Sequence, residues 1–142
     1  MVTVALALKR KGIAPITVPP DTTVLDALRM MADKNIGSLV VQKDNAYLGI
    51  VTERDYSRKV VLFGKSSDDT KVEEIMTIDL PYLSLHDTME RCMQLMTQLI
   101  VRYLPVIEKD KLEGIISMSD VVKETILSQK DTIDHLQHYI QS

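Results

Sequence analysis

Residues 49–60 read GIVTERDYSRKV, an apolar stretch that runs into a hydroxyl, a carboxylate and two arginines. Thr52, Arg54, Asp55 and Arg58 are side chains that can do chemistry, and three readings are open. They could be catalytic, they could line a pocket for a ligand carrying hydroxyls and phosphate, or they could be the solvated start of a helix. Thr52 stands where a strand ends and a helix begins, so its hydroxyl can cap that helix. The helix start also offers free N–H groups and a partial positive charge, which suit a phosphate. Asp55 lies three residues on, and its carboxylate is an acceptor with several lone pairs, matched to two neighbouring sugar hydroxyls. Arg54 and Arg58 are four apart, and a guanidinium is well shaped for phosphate. Together the four suit a ribose phosphate. Ser117 and Asp120 repeat the hydroxyl and carboxylate without the flanking arginines. The same types also satisfy a plain capping box, with a hydroxyl at the cap and an acid three residues later.

Other reactive types are sparse. The methionines 30, 31, 89, 93 and 96 fall on apolar helix stripes and read as core. Cys92 shares such a stripe and reads as a small buried hydrophobe. His135 and His138 are three apart but lack an acidic or cysteine partner that would complete a metal site. No nucleophile–base pair, metal cluster or Walker-type glycine loop can be read, which argues against an enzyme such as a nucleotide hydrolase. The net charge of −3 gives no basic field for nucleic acid or an anionic membrane. One cysteine allows no internal disulfide and fits a reducing compartment. No apolar run approaches the roughly 20 residues of a membrane span. The start MVTVALALKRKG has no cationic region ahead of an apolar one, so the expectation is a cytoplasmic protein of bacterial type, with a trimmed mitochondrial form as the alternative.

These candidates are positioned by a repeat of 65 residues. Ile16–Val60 sets over Pro81–Thr125 without a gap, pairing Thr23 with Thr88, Leu39 with Leu104, Gly49-Ile50 with Gly114-Ile115 and Asp55 with Asp120. Each copy predicts the order β-α-β-β-α. Extended pieces fall at Ile16-Thr17-Val18 and Tyr82-Leu83-Ser84. Helices follow, with Asp21 or Thr22 and then Asp87 as expected caps. Strand pairs are expected at 38–42 with 47–51 and at 104–108 with 112–116, turning over Lys43-Asp44-Asn45 and Lys109-Asp110-Lys111. A closing helix begins near Thr52 and near Ser117. The second runs on through VVKETILSQK, and Ile133, Leu136 and Ile140 recur at helical spacing beyond it. The expected boundaries are 1–63 for the first repeat with its lead segment, 64–71 for a polar linker and 72–142 for the second repeat with the C-terminal helix. A lobe of about 60 residues buries little surface alone. The expectation is therefore two pseudo-symmetric lobes of α/β (α+β) class packed through their sheets, with clefts between them.

The strings NIGSLVV, GIVTERDYSRKV, VEEIMT, VRYLPVIEKDKLEGIISMSDVVKETI and TIDHLQHYIQ resemble those of a tandem cystathionine-β-synthase (CBS) domain pair, or Bateman module. The resemblance covers almost the whole chain and is similar to small stand-alone CBS-pair proteins. It implies a regulatory sensor of adenine nucleotides, with AMP first and ADP, ATP, NAD or S-adenosylmethionine as further ligands, acting on an unknown regulated protein. It also implies a homodimer; no catalytic cofactor is expected, and the charge and hydropathy above give no expectation of nucleic acid or membrane. By the resemblance, Asp55 and Asp120 take ribose hydroxyls, and Thr52 and Ser117 hold ribose or phosphate. Thr17-Val18 and Tyr82-Leu83 offer backbone edges to a base. Ile36-Gly37-Ser38 and Tyr103-Leu104-Pro105 line the other side of each base. Arg54, Arg58 and Arg102 are the phosphate partners. The chain departs from the family pattern at Leu85, Tyr103 and Met118-Ser119, where proline, histidine and isoleucine-glycine are often found. The second cleft is favoured as the base pocket. A scaffold that has lost its ligand is the alternative.

Overall fold

The computed structural model describes residues 2–141, with no side-chain description for Gln141. The order is α1 (Val4–Lys11), β1 (Thr17–Val18), α2 (Val24–Lys34), β2 (Ser38–Lys43), β3 (Ala46–Thr52), α3 (Glu53–Tyr56), α4 (Met89–Leu99), β4 (Tyr103–Glu108), β5 (Lys111–Ser117) and α5 (Met118–Gln141). The fold is thus mixed α/β, with two small sheets and five α-helices among the described residues.

One compact unit comprises residues 14–81 with 109–112. Its sheet has the order β1-β2-β3. β1 runs parallel to β2, with Thr17 opposite Val40 and Val18 opposite Val41. β2 and β3 are antiparallel and place Ser38 opposite Thr52. The turn between them is two residues, Asp44-Asn45, both at positive φ. Asp and Asn tolerate that region, and such turns match the twist of a hairpin. Val18, Val24, Ala27, Met31, Leu39, Val41 and Val51 meet in the core. α2 is capped by Thr23, whose hydroxyl accepts from Asp26 N–H at 3.2 Å, rather than by Asp21 or Thr22. After α3 the helix widens into a π-type turn, with Leu62 N–H donating to Ser57 C=O at 3.2 Å. The polar stretch 64–71 is tied to the start of α2: Val24 N–H donates to Thr70 C=O and Leu25 N–H to Ser67 C=O. The segment that follows lies along the outer edge of β3, where Ile50 and Thr77 exchange both backbone hydrogen bonds. Gly49 makes this approach possible, because a Cβ there would stand 2.7 Å from Thr77 O.

The other unit comprises, among the described residues, 2–13, 82–108 and 113–141. β4 and β5 form its sheet, and the Lys109-Asp110 turn repeats the positive φ pair. The extended piece expected at Tyr82-Leu83-Ser84 shrinks to one parallel bridge, Leu83 to Val106. α4 is capped by Thr88, whose hydroxyl accepts from Arg91 N–H at 3.1 Å. Asp87, the expected cap, instead accepts from Ser84 N–H at 2.7 Å and closes the preceding turn. The expected helix after Ser117 and the stretch TIDHLQHYIQ form one continuous helix, α5. The lead segment is helical as well. α1 buries Val4 and Ala7, and Val4 N–H donates to Asp87 C=O at 2.8 Å. α1 therefore packs with the second repeat, although it precedes the first in sequence.

Candidate functional site

In the first repeat, the sheet register brings Ser38 level with Thr52 at one end of β2 and β3. Glu53 N–H donates to Gly37 C=O at 3.2 Å and locks α3 to the start of β2. Ile36, Gly37, Ser38, Thr52 and Asp55 thus gather at one sheet end. Thr17 is exposed two residues further along, while the Val18 side chain is in the core. Arg54 and Arg58 are exposed. Asp55 is only 7% exposed, and its carboxylate is surrounded by donors from its own fold. Oδ2 accepts from Thr52 N–H at 2.9 Å and from the Thr52 hydroxyl at 3.0 Å. Oδ1 accepts from the Thr77 hydroxyl at 3.2 Å and meets Lys59 Nζ at 3.1 Å. Thr52 in turn accepts from Asp55 N–H, which completes a capping box.

In the second repeat the same frame is built with different partners. Asp120 Oδ2 accepts from Ser117 N–H at 2.8 Å, and Ser117 Oγ accepts from Asp120 N–H at 3.1 Å. One period after Lys59 stands Glu124, which cannot neutralise Asp120. Lys11 of α1 supplies the cation, with Nζ 2.9 Å from Asp120 Oδ2. Arg10 pairs at 2.6 Å with the Glu124 carboxylate, which is 4% exposed. Both of these contacts to Asp120, from Ser117 and Lys11, are made by Oδ2.

Beside this frame lies a cleft of about 780 Å³. Met118 N–H donates to Arg102 C=O at 2.8 Å, the counterpart of the Glu53–Gly37 tie, and fixes the start of α5 against the start of β4. Arg102, Tyr103 and Ser117 line the cleft at that junction. Met118, Val122 and Ile126 form one row on α5, and Ser119, Lys123 and Leu127 a second. The walls thus carry two cations, two serine hydroxyls and an apolar floor, with no carboxylate among the lining residues. A cleft of a few hundred cubic ångströms with a few convergent polar groups suits a small ligand. Leu104, Pro105 and Leu83 are buried. The Leu83 backbone is already paired, donating to Pro105 C=O and accepting from Ile107 N–H. Tyr82 is 59% exposed and is not among the lining residues.

The sequence reading found Arg102, Tyr103 and Ser117 but missed Val122, Lys123, Ile126 and Leu127. The signal was present: once Ser117 begins a helix, steps of four along it define the two rows. Lys59 and Lys11 were missed as well. Lys59 was within reach, being four residues from Asp55 on one helix. Lys11 was not, since it is 109 residues from its partner. Cys92 is buried, and its thiol is pushed up to about 11, chiefly by burial and then by the nearby Asp87 charge. It is therefore protonated and unreactive at neutral pH.

The family model for the CBS domain matches twice, over residues 11–61 and 72–127. This chain belongs to the CBS domain family. Its two matches correspond to the two β-α-β-β-α repeats, and CBS pairs are generally regulatory, ligand-sensing modules. It is 40% identical over 126 residues to the CBS domain-containing protein CBSX3, mitochondrial, of Arabidopsis thaliana. That match covers 85% of this chain and 61% of the relative, so this CBS pair spans about three fifths of that protein. A CBS-domain protein from Burkholderia ambifaria has 46% identity and a TM-score of 0.85, covering 90% of this chain and 96% of that one. Another from Agrobacterium tumefaciens has 36% identity and a TM-score of 0.82, covering 87% and 99%. No helix among the described residues is long and apolar enough to cross a membrane.

Proposed function

We propose that this CBS pair is a regulatory module that binds an adenine nucleotide, AMP first, in the cleft of the second repeat. The observation that carries the reading is the composition of that cleft, where Arg102, Lys123, Ser117 and Ser119 surround the apolar row Met118, Val122 and Ile126. Arg102 and Lys123 take the phosphate, and Tyr103 and the apolar row take the base. Ser117 takes a ribose hydroxyl, and Asp120, held by Ser117 N–H and Lys11 outside the cleft lining, fixes the turn that presents it. Two cations and no lining carboxylate rank the anionic nucleotides AMP, ADP, ATP and NAD above the cationic S-adenosylmethionine. No histidine, carboxylate or cysteine lines the cleft, so binding rather than turnover is the chemistry it supports. In the first repeat, Thr52 and Asp55 act chiefly as the cap of α3, with Arg54 and Arg58 as exposed phosphate partners. The protein acts as a homodimer on a protein yet to be identified, in the cytoplasm or a mitochondrial matrix.

Calorimetric titration of nucleotide-stripped protein with AMP tests this reading through Arg102→Ala. Loss of one charge-assisted phosphate contact should weaken AMP binding by about ten- to a hundredfold. An unchanged affinity would remove the phosphate from this cleft. A second reading, a scaffold without ligand, draws on the saturated carboxylate of Asp55. It predicts no binding of any adenine nucleotide.

A further inference from the structure

From Thr125 to Ile140 every residue of α5 is exposed, and Glu124 is the last buried one. The stretch is far from uniformly polar. Ile126, Ile133 and Ile140 recur every seven residues and are 58%, 54% and 80% exposed. Leu136, 57% exposed, lies between the last two on the same side. With the isoleucines at position a of a heptad, Gln129 and Leu136 fall at d. Isoleucine at a with leucine at d is the pattern of a parallel two-stranded coiled coil. A solitary helical stretch of this length is marginal in water, which argues that something covers the stripe.

The Ile-at-a, Leu-at-d pattern suits a second copy of the same helix, and the charges select its direction. Lys123 and Lys130 fall at e, while Thr125 and Thr132 fall at g. In a parallel pair each e position faces a g position of the second helix, so lysine meets threonine without repulsion. An antiparallel pair sets e against e and brings the two lysine rows together. Gln129 places one polar layer at d in the seam, at some expense of stability. We propose that the tail of α5 pairs in parallel with the same helix of a second copy of this chain. The proposal rests on the homodimer part of the reading above; because Lys123 and Ile126 at the start of the stripe also line the cleft, its test is placed at Ile133 and Ile140, outside the cleft.

Sedimentation of the full chain, with cysteine cross-linking, tests it. The wild type sediments as a dimer, and Ile133→Asp weakens self-association by about a hundredfold or more, because each copy would bury a charge. Ile133 is exposed within one chain, so this variant keeps the wild-type thermal transition of the folded units, and any loss of far-UV helicity is confined to the uncovered tail. Ile133→Cys and Ile140→Cys each oxidise to a covalent dimer, since a parallel seam sets each residue against its own copy. Ser128→Cys, at c on the outer side, does not, and the buried Cys92 stays silent. A dimer that persists unchanged in Ile133→Asp would overturn the tail seam while leaving the homodimer intact. A monomeric wild type would overturn both. Cross-linking at residue 133 without cross-linking at residue 140 would overturn the parallel direction.

Discussion

At the scale of single residues, the two hydroxyl–carboxylate pairs show how one local motif takes different surroundings. Thr52–Asp55 and Ser117–Asp120 share the same cap geometry, yet Asp55 is met by Thr77 and Lys59 while Asp120 is met by Lys11 of a remote helix. The paired glycines differ in the same way. A Cβ on Gly49 would meet the Thr77 carbonyl at 2.7 Å, whereas on Gly114 it would meet the end of the Leu8 side chain at 2.7 Å. A backbone hydrogen-bonded in both directions cannot retreat, but a leucine end can turn aside. Gly49→Ala should therefore destabilise the fold by about 1–3 kcal/mol, the range typical of overpacking. Gly114→Ala should cost clearly less. Chemical denaturation of the two variants measures the difference, and equal losses would mean that Leu8 is as fixed as the backbone. The capping box at Thr52 was legible because its partners lie within three residues. The identity of the cation beside each carboxylate was not, because Lys59 and Lys11 occupy it from an adjacent turn and from a remote helix.

At the scale of elements, local chemistry predicted the hairpins and the helices but not every cap. Asp44-Asn45 and Lys109-Asp110 both adopt the positive φ that a two-residue turn demands. The caps Thr23 and Thr88 were misplaced by one or two residues as Asp21, Thr22 or Asp87. A short polar side chain at any of these positions can reach the first free N–H, so composition alone does not choose. The helical lead segment was harder still, since Val4, Leu6 and Leu8 alternate as a strand would. Its buried residues, Val4 and Ala7, are three apart and become visible only once α1 docks. The ends of α2 and α4 give a test of this scale. Asn35 and Ile100 are repeat partners, and both stand at left-handed φ, 52° and 54°. Asparagine tolerates that region, while a β-branched residue is strained there. Ile100→Asn should raise stability by about 1 kcal/mol, read as a higher thermal midpoint. A lowered midpoint would show that the contacts of the Ile100 side chain outweigh its backbone strain.

At the scale of the whole molecule, the doubled β-α-β-β-α order was readable because an ungapped repeat preserves spacing, turn residues and apolar faces together. What the repeat could not reveal is which lead segment serves which repeat. Segment 72–77 stays with the first repeat, and α1 stays with the second, where Lys11 and Arg10 meet Asp120 and Glu124. The cleft of the second repeat owes its character to departures from exact duplication. Arg102 stands one period after Gly37, and Met118 one period after Glu53. Those changes give the second repeat a cation and an apolar floor where the first has a glycine and a carboxylate. The central claim, that this cleft binds an adenine nucleotide, is tested most directly by titrating stripped protein with AMP in a calorimeter while following its melting. The account predicts saturable heat, one site per chain. At 100 times the dissociation constant it also predicts a gain of about 2.7 kcal/mol in stability. Neither heat nor a shift in melting, with AMP and with ADP, ATP and NAD in turn, would contradict it and leave the ligand-free scaffold in its place.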